Sequence, residues 1–134
     1  MQGFLDKLAS SIASAEGFFV AGALPQVNNN PGDLRAAPAT PTTAQSMNKG
    51  FVKFTDIKTG ISALYHQLAL DMARGWSLRK LIYTYAPPTD YNNSELYLIE
   101  TLRRLGLDQQ DPKTGKYICI DTPLQEFLEI THIP

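Results

Sequence analysis

A single cysteine in 134 residues excludes an internal disulfide. Cys119 stands in the apolar run Tyr117-Ile118-Cys119-Ile120, where a free thiol is expected to be buried as a small hydrophobe. Histidine is almost as scarce, with only His66 and His132. With no paired cysteines and no H-E-x-x-H pattern, the sequence offers no metal site and calls for no cofactor. No apolar run approaches the roughly 18 residues that a membrane span requires, so none is expected. The start, Met1-Gln2-Gly3, lacks a basic n-region and leads into an amphipathic segment, so no secretory leader is read there. Export would then use a route without a leader, or follow removal of one. Charge of either sign is also in short supply. Thirteen acidic against twelve basic residues leave a net charge of -1, without the basic footprint that nucleic acid binding needs. The pairs Arg79-Lys80 and Arg103-Arg104 read as solvated helix faces.

What is present is a chain of ordinary single-domain size, 43% hydrophobic and without internal repeats. Phe4, Leu5, Leu8, Ile12 and Ala15 recur at helical spacing and predict a helix that ends near Glu16-Gly17. Phe18 to Leu24 is an apolar run closed by Pro25, and Asn28-Asn29-Asn30-Pro31-Gly32 is turn chemistry. Arg35 to Lys49, rich in Ala, Pro and Thr, reads as a long surface loop, and its Pro38-Ala39-Thr40-Pro41 as a stiff part of it. Phe51-Val52-Lys53-Phe54 is a strand candidate to be paired near Leu34. Ile57, Ile61, Leu64, Leu68 and Met72 form the strongest helical stripe and are expected in the core, with Thr55 or Asp56 as cap and Gly75 as stop. Ser77 caps a shorter helix carrying Leu78, Leu81 and Ile82, which Pro87-Pro88 ends. Leu96, Ile99, Leu102 and Leu105 predict the next helix, stopped by Gly106. Asp111 to Gly115 is a turn into a strand-like Lys116 to Ile120. Thr122-Pro123-Leu124-Gln125 is a capping box that opens a last helix through Leu128.

Glu16 draws attention because its sequence neighbours are Ala15, Gly17, Phe18 and Phe19. A carboxyl group among apolar side chains, at the C-terminal end of a helix dipole, is expected to hold its proton above the usual carboxylate range. That is what a general acid working near neutral pH needs. An exposed glutamate near a helix end is the plain reading of the same residues.

Several blocks occur in a definite order. Ala15-Glu16-Gly17 is followed by Asn29-Asn30-Pro31-Gly32-Asp33-Leu34, then Gly60-x-x-Ala63-Leu64, then Tyr85-Ala86-Pro87-Pro88 with Asn92-Asn93 and Tyr97. In this order the chain, from about Ile12 to Leu107, resembles the lysozyme-like domains, of muramidase or lytic transglycosylase type, found in bacteriophage virion proteins and bacterial secreted proteins. It departs from them at Asp33, where they usually have Asn, at Tyr85, where they usually have Trp, and at Asp90-Tyr91 before Asn92.

The resemblance implies one mainly helical (α+β) domain over residues 1–134, with a small β hairpin or sheet beside a cleft. It implies cleavage of the β-1,4 bond of peptidoglycan glycan strands, in the periplasm or at the cell wall, with Glu16 as general acid. Asp33 is the nearest candidate for a second carboxylate, with Asp56 and Asp90 behind it. Asp33 has a competing role in hydrogen-bonding the turn. Asn30, Tyr85 and Asn93 are the expected substrate contacts, since amides donate and accept and a tyrosine both stacks and donates. Asn30 as a turn residue and Tyr85 as a core aromatic are the competing readings, while Tyr83 and Tyr97 are expected in the core. Hydrolysis and lytic transglycosylation both follow from the same acid. An inhibitor or immunity protein is a compatible partner. A non-catalytic wall-binding or virion structural module on the same fold is the alternative.

Overall fold

The computed structural model describes residues 3–35, 45–90 and 93–131. Its elements run α1 (Phe4–Ala15), α2 (Leu24–Val27), β1 (Gln45–Asn48), β2 (Phe51–Phe54), α3 (Ile57–Ala73), α4 (Leu78–Tyr85), a 3₁₀ turn (Pro88–Asp90), α5 (Ser94–Leu105) and α6 (Leu124–Thr131). The architecture is therefore mixed α and β, mainly helical, with one two-stranded antiparallel sheet. Two compact units make up the chain. One comprises Ala9–Leu70, the other Met1–Leu8 with Asp71–Pro134. No helix among the described residues is long and apolar enough to cross a membrane.

In the Ala9–Leu70 unit, α1 closes with a Schellman motif. The Gly17 N–H donates to the Ser14 carbonyl at 3.2 Å and the Phe18 N–H to the Ala13 carbonyl at 3.0 Å. Gly17 carries the left-handed φ of 85° that this closure requires. Phe18 turns inward and is buried, while Phe19 and Val20 remain exposed. Pro25 does not close the apolar run. It stands in the first turn of α2, where its missing N–H costs nothing.

The sheet corrects one expectation. β2 pairs with Gln45–Asn48, inside the stretch read as loop, in the register Gln45↔Phe54 to Asn48↔Phe51. Lys49 and Gly50, with φ of 53° and 84°, make the two-residue turn whose positive φ values match the twist of a hairpin. Pro38 to Pro41 lie outside the described residues. The other edge of β2 faces the asparagine loop: Val52 N–H donates to Leu34 at 2.9 Å and Phe54 N–H to Asn28 at 2.9 Å. The expected pairing near Leu34 is thus one side of β2, and β1 is the other.

Asp56 caps α3, its carboxylate accepting the Thr59 N–H at 2.8 Å. Leu64, Leu68 and Met72 are buried as expected, but Ile57 (48% exposed) and Ile61 (41%) are not. Over the first turns the buried edge of α3 is Gly60, Ala63 and Leu64. Successive helical residues are about 100° apart, so Ile61 points well away from Gly60. Gly60 itself permits a contact closer than any side chain would. A Cβ there would stand 1.7 Å from the Asn29 carbonyl oxygen and 3.2 Å from Pro31 Cδ.

In the other unit, Leu8, Leu78, Leu81, Ile82, Leu98, Leu102 and Leu124 are fully buried, and the Phe4 and Phe127 rings lie 5.4 Å apart. Ser77 Oγ accepts the Lys80 N–H at 3.2 Å and caps α4, as its position predicts. The strand-like Lys116 to Ile120 is instead one bridge, Gln110 to Tyr117, followed by a turn. Cys119 lies half-buried in that turn rather than in the core. Tyr83 and Tyr97 are half-buried as well. Arg79 joins the turn to α5, reaching Asp121 at 3.0 Å and Glu95 at 3.7 Å, while the Tyr83 hydroxyl donates to Glu95. Such exposed pairs contribute little to stability. The capping box is not formed as drawn. α6 starts at Leu124, whose N–H donates to the Trp76 carbonyl at 2.9 Å, and it runs beyond Leu128.

Gly60→Ala is expected to force the Asn29 carbonyl away and to destabilise the fold by about 3 kcal/mol, the upper range for overpacking. Gly3→Ala, where a Cβ meets nothing within 4 Å, is the control and should change stability by under about 0.5 kcal/mol in urea unfolding.

Candidate active site

Three consecutive asparagines do three different things. Asn28 is fully buried; its carbonyl takes the Phe54 N–H and its side-chain oxygen the Asn48 amide at 2.8 Å. Asn29 adopts a left-handed φ of 51°, which asparagine tolerates, and its Nδ2 donates to the Phe54 carbonyl at 3.1 Å. Asn30, at 0% exposure, donates from Nδ2 to the carbonyls of Leu34 (3.0 Å) and Val52 (2.9 Å), and its Oδ1 accepts the Leu34 N–H at 2.9 Å. Each hydrogen of the Asn30 amide is committed and none is left for a sugar. Its place is that of a buried brace between loop and strand, not of a substrate contact. A turn from Asn30 to Asp33, closed by the Asp33 N–H on the Asn30 carbonyl at 3.0 Å, carries the chain over Pro31 and Gly32.

Asp33 is what this brace presents. Its φ of 49° is left-handed, a conformation that favours Asn, Asp or Gly, so the backbone demand suits Asp here and would suit Asn equally. The side chain is half-buried, and its Oδ1 is a buried oxygen without a hydrogen-bond partner among the described residues. The turn is held by Asn30 instead. Burial pushes the Asp33 carboxyl above the usual range, against the opposing pull of Arg35. Arg35 also lies over the Phe51 ring, 4.6 Å from its centroid.

Glu16 is the last residue before the Gly17 reversal, half-buried, with its N–H on the Ile12 carbonyl at 2.9 Å. It belongs to the same compact unit as Asp33. Between these two carboxylates, from Gly17 to Gly32, the chain has no charged residue. Asp56 is committed to capping α3, and its bond from Thr59 holds its carboxyl below the usual range. The side chain of Asp90 lies outside the described residues.

The remaining expected contacts fall in the other unit. Tyr85 is the last residue of α4 and half-buried. Asn93 is exposed but caps α5, its Oδ1 accepting the Leu96 N–H at 3.1 Å. Behind it Ser94, buried, donates its hydroxyl to the Ala86 carbonyl. The Tyr85-Ala86-Pro87-Pro88 and Asn93-Ser94 blocks are thereby the two sides of one corner between α4 and α5. Asn92 and Tyr91 lie outside the described residues. Among the described residues no group of His, Cys, Asp and Glu could hold a metal ion.

Sequence reasoning missed the bracing roles of Asn28, Gly60 and Ser94. Only Gly60 had a signal, its fixed place in the Gly-x-x-Ala-Leu block. Compared with known proteins, the chain matches no family model, no curated protein and no solved structure.

Asp33→Asn tests the electrostatics. A carboxyl whose pKa is raised on folding destabilises the folded state when charged. The penalty is absent below the ordinary value of about 3.9 and fully developed above the raised one. The variant should therefore be more stable than the parent at pH 7, with the difference closing near pH 3, in urea unfolding followed at both pH values.

Proposed function

We propose that this protein cleaves the β-1,4 glycan strand of peptidoglycan, with Glu16 as general acid. One observation carries most of the weight: a half-buried glutamate sits at a hydrogen-bonded helix closure, in the same compact unit as a braced turn that ends in a carboxylate whose Oδ1 has no hydrogen-bond partner among the described residues. The order of sequence blocks shared with lysozyme-like domains supports the same reading. Glu16 would give its proton to the glycosidic oxygen as the C1–O bond breaks and its electron pair leaves with that oxygen. The sugar left behind carries positive charge at C1 and the ring oxygen, which a nearby carboxylate stabilises. Asp33 fits that second role better than a turn-bracing one, because Asn30 already braces the turn. Capture of C1 by water, whose proton returns to Glu16, gives a reducing end. Capture by the sugar's own 6-hydroxyl, whose proton likewise returns to Glu16, gives an anhydro end.

Glu16→Gln keeps the shape of the side chain and removes the proton. The variant should lose a factor of roughly 10²–10⁴ in cleavage rate on purified cell walls, with stability unchanged or slightly raised. Glu100→Gln and Glu126→Gln are controls that keep activity. Turbidity loss gives the rate, and mass analysis of the fragments separates reducing from anhydro ends. A parent protein that binds walls and releases no fragments would be a wall-binding module, and the enzymatic reading would fall.

A further inference from the structure

Phe19 is the most exposed large apolar side chain of the described residues, at 66%, and its neighbour Val20 is exposed to 60%. Exposure on a mobile tail would mean little, but this segment is fixed. Gly17 and Phe18 close α1, the Val20 N–H donates to the Gly17 carbonyl at 3.0 Å, and the Ala23 N–H to the Val20 carbonyl at 3.1 Å. Phe18, buried, anchors the turn from below, and its ring meets that of Phe19 edge-on at 5.3 Å between centroids. The Phe19 ring is thus held outward by its own neighbour. Three residues of chain span at most about 10 Å, so the Phe19 Cα lies within that distance of the Glu16 Cα. The segment it belongs to is uncharged from Gly17 to Gly32, which suits a neutral occupant and offers nothing to an acidic or basic one.

We infer that Phe19 is the platform on which the apolar C–H face of a sugar ring stacks, placing the adjoining glycosidic oxygen within reach of Glu16. This assignment rests on the glycan-cleaving reading of Glu16 and adds a specificity-determining residue to it. An aromatic side chain suits the task because it gives a large flat contact with only two torsions to freeze.

The test uses the full chain carrying Glu16→Gln, titrated calorimetrically with chitin oligosaccharides so that turnover cannot interfere. Adding Phe19→Ala should weaken binding by roughly tenfold, a typical aromatic contribution. Phe19→Tyr and Phe19→Trp should restore the affinity, and Phe19→Leu should not, since leucine is apolar without a flat face. Ile118→Ala, which removes another exposed apolar side chain (61%), should leave binding unchanged. Equal affinity of the Phe19→Ala and parent proteins overturns the platform while leaving Glu16 in place. So does rescue by leucine, or a Phe19→Ala effect confined to self-association in sedimentation. If the parent neither binds oligosaccharide nor cleaves walls, it is the glycan reading that fails.

Discussion

The Asn29 carbonyl rests against α3 at a point where only glycine fits. A Cβ on Gly60 would overlap it at 1.7 Å, so the absence of a side chain lets the asparagine loop lie directly on the helix. Everything about the loop follows from that contact. Asn29 can then reach Phe54, Asn30 can clasp both Leu34 and Val52, and the edge of β2 opposite β1 acquires partners. The sheet is only two strands wide, and a lone hairpin is marginal in water. The loop acts as its third member, and the helix backs the loop. Polar side chains thus tie the loop to the strand above buried Val52, Phe54, Leu64 and Leu68.

This arrangement separates bracing from chemistry. The Asn30 amide that holds the turn is used up within it, while the carboxylate at the turn's end keeps an Oδ1 without a hydrogen-bond partner among the described residues. At the end of α1 the same division appears. Gly17 and Phe18 make the closure, and Phe19 beyond it stays exposed.

Much of the helical frame was legible because it depends on local rules. The ends of α1, α3 and α5 are marked by Gly17, Gly75 and Gly106, and the caps Asp56 and Ser77 stand where side-chain oxygens meet free N–H groups. β1 was not legible: Gln-Ser-Met-Asn has no alternation, and its strand state depends on pairing with β2. Tyr117 to Ile120 misled in the opposite sense: only Tyr117 finds a partner, in its bridge to Gln110, and the β-prone residues after it fold into a turn. Ile57 and Ile61 keep helical spacing, yet spacing does not say which face finds cover. Of the candidate site, the sequence offers Glu16 and Asp33, which lie in one compact unit, but it does not tell the roles of its amides apart. An asparagine that braces and one that binds sugar have the same chemistry, and only the burial of Asn30 and the cap formed by Asn93 tell them apart.

The left-handed backbone at Asp33 has a consequence for how such a site can change over time. Asparagine and aspartate are isosteric and share a tolerance for that conformation, so the fold places the same demand on either. Net charge at this spot can therefore be exchanged by a single substitution without rebuilding the support beneath it. The turn behaves as an interchangeable socket, in which acid–base character and mechanical framework vary independently.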